Sequence, residues 1–175
     1  FALTTFFVCL LTVIGLEYNT LMNFNPGFEY RNTLYADLSG SKMVERERCV
    51  QELKKLPEVK AVTWGYQLLS DHCSGNNVYN PETGEEYMNI ADMYYVGPDY
   101  HKAFQIPVIE GNVFTPTLTD SLSLQVMVSR QFVERMKTLA GWTGSPIGKP
   151  VYITEHRAMA TICGVYEDIH LGSQV

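Results

Sequence analysis

The chain has 175 residues, 46% hydrophobic and 18% charged, enough apolar content to bury a core in one domain or two interlocked subdomains. Its 13 basic residues against 19 acidic ones leave a formal charge of −6, which argues against nucleic acid or an anionic membrane surface as the main partner. No long like-charge run, low-complexity tract or internal repeat is present, which excludes disordered and solenoid architectures.

The first sixteen residues (FALTTFFVCLLTVIGL) depart from that average, with no charge and no Pro. As a helix they would span about 24 Å, short of a bilayer core of about 30 Å. No Met opens the run and nothing basic precedes it, so it lacks the make-up of a complete signal peptide. Its apolar residues surround the helix instead of forming one stripe. We therefore read the run as the exit end of a membrane helix whose start lies before residue 1, in preference to a buried core helix. Glu17, Tyr18, Asn19 and Asn23, interleaved with Leu16, Leu21, Met22 and Phe24, continue it as an amphipathic stalk, and Asn25-Pro26-Gly27 stops it.

Residues 31–38 place Leu34, Ala36 and Leu38 on one face, the alternation of a half-buried strand. Ser41 is the expected N-cap of the next helix, with Glu45 in its first turn and Met43, Val50 and Leu53 on one face. Pro57 ends that helix after Lys54 and Lys55, and residues 59–69 read as a strand. The stretch 70–86 is polar and turn-rich, with a hairpin tip at Asn80-Pro81-Glu82-Thr83-Gly84 and strands expected at 77–79 and 86–96. Asp99 is the expected cap of a short helix over 100–104, and 111–119 returns to loop. Residues 124–128 read as a strand. Ser129 then caps a helix with Phe132, Val133, Met136 and Leu139 toward the core, and Gly141 closes it. Strands at 150–154 and 159–166 flank a turn at His156-Arg157. The expected fold class is α+β: two strand–helix–strand halves, 25–69 and 120–175, flank a mostly β inserted subdomain, 70–119. The membrane-helix end and stalk, 1–24, precede them.

No residue constellation reads as an active site. Gly144-Ser-Pro-Ile-Gly148-Lys149-Pro150 has one residue too few between its glycines for a P-loop, and Pro150 stands where a magnesium-binding hydroxyl is needed. A tight turn entering a strand accounts for it better. Cys9, Cys49, Cys73 and Cys163 lack C-x-x-C spacing; Cys49–Cys73 and Cys73–Cys163 bridges both stay open. Asp71-His72-Cys73 reads as structural, because three consecutive residues rarely converge on one ion. Asp168-Ile-His170 reads as a turn or capping network, since no G-x-S-x-G elbow or H-E-x-x-H pair accompanies it. No catalytic, cofactor-binding or metal-binding residue is assigned.

The order of motifs resembles the extracytoplasmic core domain of MacB/FtsX-type ABC transporter permeases. The residues that carry the resemblance are the hydrophobic exit leading to NPGFEYRNTL at 25–34, Leu56-Pro57-Glu58-Val59, and YVGPDY at 95–100 before QIPVIEGNVF at 105–114. Val126-Met127-Val128-Ser129, Pro146-Ile147-Gly148-Lys149 and ICGVYEDIH at 162–170 complete the set. Asn112 stands where the family usually has Arg, and the middle insertion is short. The resemblance implies a porter-like subdomain and a companion lobe, inserted between the first two membrane helices of a bacterial inner-membrane permease and facing the periplasm. It also implies a second permease copy or relative, a cytoplasmic ATPase that hydrolyses ATP elsewhere, and a periplasmic or outer-membrane partner, with no cofactor in this chain. Leu16, Leu21 and Met22 are the expected stalk contacts, because apolar side chains leaving the membrane still need burial. The competing readings are a membrane-anchored ligand-sensing or solute-binding module, and an envelope hydrolase using Asp168, His170 or Cys73.

Overall fold

The computed structural model describes residues 1–65, 75–80, 82–97, 99–114, 124–154 and 157–170. It is α+β. Helix α1 (Ala2–Met22) runs unbroken through Glu17 and Tyr18, and no residue of it is buried. Its 21 residues measure about 31 Å, and by length and composition it suffices to cross a membrane. Three of its four threonines are internally satisfied. Thr5 donates to Phe1 O (3.0 Å), Thr12 to Val8 O (2.8 Å) and Thr20 to Leu16 O (3.0 Å). Such back-bonding pairs these hydroxyl donors within the helix, which suits an apolar surrounding.

Among the described residues, six strands form one sheet around β6 (Ala158–Tyr166). One edge of β6 carries β4 (Leu124–Ser129), parallel, from Leu124 opposite Ala160 to Ser129 opposite Tyr166. The other edge is shared end to end, antiparallel, by β5 (Pro150–Ile153) over residues 158–161 and β3 (Val108–Gly111) over residues 164–166. Beyond β5 lie β1 (Gly75–Tyr79) and then β2 (Glu86–Asp92). Strands drawn from 70–119 and from 120–175 thus belong to the same sheet. The β1–β2 connection is the expected hairpin tip: Asn80 Oδ1 accepts from Glu82 N–H (2.8 Å), and Gly84 N–H donates to Asn80 O (2.9 Å).

Helix α4 (Arg130–Ala140) follows β4 directly, so the second strand–helix–strand half forms as read. Ser129 Oγ accepts from Phe132 N–H, and Gly141 ends the helix at φ +61, a left-handed conformation suited to Gly. Val133 and Met136 are buried, but Leu139 lies off that stripe and is half exposed. Ile162, fully buried at the centre of β6, packs with Val128, Val151, Ile153, Ala160 and Val165. Each buried Val or Ile side chain contributes about 1.5–3 kcal/mol.

The first half differs from expectation. Residues 31–38 form no strand, and Leu34 is 99% exposed. Local bonds compete with a ladder there: the Asp37 carboxylate accepts from Ser39 N–H (2.7 Å), which also holds its pKa below the usual value. Residues 60–64 form no strand, Gly65 makes a single bridge to Val96, and 66–69 lie outside the described residues. Helix α2 (Met43–Leu53) is present, but its N-cap is Lys42, whose N–H donates to the Glu45 carboxylate (2.9 Å). Ser41 Oγ instead donates to Leu38 O and accepts from Arg46 Nε. Helix α3 (Tyr100–Ala103) starts at Asp99 as expected, yet the Asp99 side chain caps nothing. It pairs with Lys102 (3.0 Å) and with Lys54 (3.4 Å), tethering the end of α2 to α3.

Candidate functional site

The root of α1 is gripped by the far end of the sequence. Helix α1 ends at Asn23, and the chain turns at once through an Asx turn in which Asn25 Oδ1 accepts from Gly27 N–H (2.9 Å). Gly27 has φ +85, and a Cβ there would stand 2.9 Å from the carbonyl oxygen of Asp168. The next peptide bond along closes the contact: His170 N–H donates to Pro26 O (2.8 Å). The Phe24 and His170 rings meet edge to face at 5.4 Å. We call this juxtaposition of 24–28 with 167–170 the clasp.

Both sides of the clasp are fixed to the body of the domain. Glu29 N–H donates to Phe104 O (2.8 Å), and the Phe28 ring packs edge-on against Phe104 (6.2 Å), in a cluster with Tyr100, Ile106 and Ile169. On the other side, Glu167 N–H donates to Pro107 O (2.9 Å). The Asp168 carboxylate accepts from Gln131 N–H (2.8 Å) in the first turn of α4, and Arg130 pairs with Glu167 at 2.5 Å. The capping role read for Asp168 therefore holds, with α4 as the helix served. His170 contributes a backbone bond and a ring contact. The clasp is built from backbone hydrogen bonds, one ring contact and the Asp168 carboxylate on α4. The sequence marked both segments as motifs but gave no sign that they meet, since pairing between opposite ends of a chain leaves no local pattern.

Leu16, Leu21 and Met22 are exposed by 64%, 52% and 60%, all on α1 short of the clasp. At about 100° of helix rotation per residue they point about 100–140° apart, so no single partner stripe holds all three. The 144–150 turn enters β5 as read, with Lys149 N–H donating to Pro146 O (3.1 Å) and Gly148 N–H to Ile162 O (2.8 Å). Lys149 Nζ lies 5.6 Å from the centre of the Trp142 ring. Asp71, His72, Cys73 and His156 lie outside the described residues, and with Cys73 go both readings of a disulfide. Cys49 and Cys163 are free thiols; burial raises the Cys163 pKa, and its Sγ–H donates to Val126 O (3.3 Å). Among the described residues no cluster of three or more His, Cys, Asp or Glu is placed to hold a metal ion.

A family model described as the MacB-like periplasmic core domain matches residues 8–174. The periplasmic region of MacB from Actinobacillus actinomycetemcomitans is similar at 19% identity and a TM-score of 0.49, over 74% of this chain and 57% of that one. The extracellular domain of the noncanonic ABC-type transporter YknZ from Gram-positive bacteria is similar at 19% identity and a TM-score of 0.46, over 71% of this chain and 59% of that one. The chain thus spans less than two thirds of either structure. No curated protein sequence matches it.

Proposed function

The chain belongs to the MacB-like periplasmic core domain family, and from that premise we propose that it is the extracytoplasmic domain of an ABC transporter permease in a bacterial inner membrane. In this reading α1 is the end of the first membrane helix, and the segment after residue 170 leads toward the second. A cytoplasmic ATPase hydrolyses ATP, and the domain, paired with a second permease copy or a relative, carries the resulting movement outward. The work is done on a substrate or envelope partner outside the membrane: export, peptide or lipoprotein handling, or activation of a partner. The chain performs no chemistry of its own.

The clasp is the observation that supports this reading best. A domain moved by membrane helices needs a rigid coupling at its attachment points. Here the exit of α1 and the last described residues are hydrogen-bonded together by His170 N–H to Pro26 O. Both are anchored to the same sheet and to α3 and α4, so displacement of the helix end is passed to the whole body.

The test is Leu21→Pro in the permease reconstituted with its ATPase. Proline within the last turn of α1 removes a helix hydrogen bond and kinks the rod, at a cost of about 3 kcal/mol or more to the helix alone. The domain is expected to keep its circular dichroism and tryptophan emission. The ATP-driven change in distance between spin labels on the two copies' domains is expected to vanish. Unaltered ATP-driven movement in this variant would refute the coupling role. The reading also requires further apolar spans of about 20 residues after residue 175 in the full-length gene; a reading frame that stops there would sink it.

A further inference from the structure

Beside α3 lies a half-enclosed cavity of about 300 Å³, bounded by residues 92–97, α3 and the ends of β4, β5 and β6. Aromatic side chains from three separate stretches of the chain line it: Tyr94 and Tyr95 after β2, Phe114 after β3, and Tyr166 at the end of β6. All four are half-buried, so each keeps accessible surface. Asp92 lines the cavity too, is exposed, and has no ion-pair partner among the described residues. It is the one carboxylate in the described lining, where there is no Lys or Arg. His101, on α3, is the one imidazole, and the rest of the described wall is mostly apolar.

We infer that this cavity is a binding site for a small organic cation: a quaternary or protonated amine on an apolar body, its charge held between the aromatic rings and Asp92. The face of an aromatic ring carries the negative part of its quadrupole and attracts a cation, most strongly where water is partly excluded. An anion would be repelled by the same rings and by Asp92. A metal ion needs several oxygen ligands, and one carboxylate among mostly apolar walls does not supply them. An alkylated ammonium differs from both, because it spreads its charge over apolar groups and so loses less on leaving water. Size follows from volume. A dry cavity of about 150 Å³ holds benzene, so this one suits about ten non-hydrogen atoms, at the small end of ligand pockets. A neutral His101 ring offers the cation a further π face, whereas a protonated one would repel it. The site does not rest on the coupling role proposed above.

The probe is phenyltrimethylammonium, with tert-butylbenzene as its neutral isostere and benzenesulfonate as an anion of similar size. The full chain is embedded in zwitterionic nanodiscs with 13C-methyl methionine, and methyl resonances are followed during titration at about pH 8, above the free-imidazole range. With the cation, Met93 and Met127, which line the cavity, are expected to shift saturably. Met88 and Met136, buried in a separate cluster, are expected to stay put and to report an intact fold in each variant. Met22 on α1 reports contact with lipid. Asp92→Asn is expected to weaken the cation about 2–5-fold, the worth of one exposed charge pair, and to leave tert-butylbenzene unchanged. Tyr95→Leu keeps the wall apolar but removes a ring face, and is expected to weaken the cation by a similar factor and the hydrocarbon less. Benzenesulfonate is expected to give no saturable shift. Cation shifts confined to Met22, an anion affinity matching the cation's, or no selective loss of the cation in either variant would overturn the assignment.

Discussion

Replacing Gly27 with Ala tests the clasp at its tightest point. The φ of +85 is costly for any residue with a Cβ, by about 1–2 kcal/mol. The new methyl would also sit 2.9 Å from the Asp168 carbonyl oxygen, a backbone atom that cannot swing aside. The two segments must separate by a few tenths of an ångström, which weakens the 2.8 Å bond from His170 N–H to Pro26 O, worth about 1 kcal/mol. The sum is about 2–3 kcal/mol, felt first as local opening, because the sheet itself is untouched. Amide hydrogen exchange on the full chain in nanodiscs reads it directly: the His170 amide is expected to exchange about 30–150-fold faster. Denaturant midpoints followed by Trp64 and Trp142, both outside α1, are expected to move less. Gly27→Asn, which tolerates positive φ better, is expected to fall between. An unchanged His170 exchange rate in Gly27→Ala would refute the argument that these backbones are locked together.

Four further outcomes are expected. Tyr100→Phe removes a hydroxyl with no hydrogen-bond partner among the described residues, so stability is expected to hold or rise by up to about 1 kcal/mol in denaturant titrations; a clear loss would reveal a partner. Burial pushes the Tyr100 pKa up to about 12 from 10.0. The folded state therefore keeps a proton the unfolded state loses, and this contribution to stability is intact below pH 10 and lost as pH rises toward 12; phenolate absorbance should show one late-titrating tyrosine that Tyr100→Phe abolishes. Asp99→Asn releases both Lys102 and Lys54, and because the pairs are exposed the expected cost is below about 1 kcal/mol. Its carboxyl pKa is held below 3.8, chiefly by the Lys102 hydrogen bond, so the contribution is present above pH 3.8 and fades as pH falls below it; a Lys54–Asp99 double-mutant cycle measures the tether. Gly97→Ala places a methyl 2.9 Å from Trp64 Nε1, so the indole is expected to swing outward and its emission to shift red; an unchanged spectrum would show that the backbone yields instead.

Much of the second half was legible because its signals are local. Ser129 before an apolar stripe, Gly141 after it, and Asn80 to Gly84 between strand-like flanks each act within a few residues of themselves. Helix α1 was legible for the same reason, since an uncharged apolar run without Pro is a local signal for a long helix. The first half misled because alternation predicts a strand only where an edge is free to receive it. Leu34, Ala36 and Leu38 alternate, but Asp37 turns the chain on itself before any ladder forms. Asp99 was read as a cap from its position alone; the cations of Lys54 and Lys102 claim its carboxylate instead. Of the site, the sequence marked Pro26, Gly27, Asp168 and His170 as members of two motifs. Their contact depends on β6 and α3 placing both segments together, and that information is distributed over the whole fold.

The arrangement of the sheet has a consequence for the order in which this chain acquires structure during synthesis. Until β5 is made at 150–153, β1 and β2 can pair only with each other. Among the described strands, β3 and β4 have no partner until β6 emerges at 158–166. A nascent chain therefore presents a marginal hairpin and two unpaired strands while α1, made before them, is already in place. Closure follows late and in one step, through pairings distant in sequence, which makes folding slow relative to a helical protein of this size. The interval before β6 arrives is when a chaperone or a neighbouring chain has access to those edges.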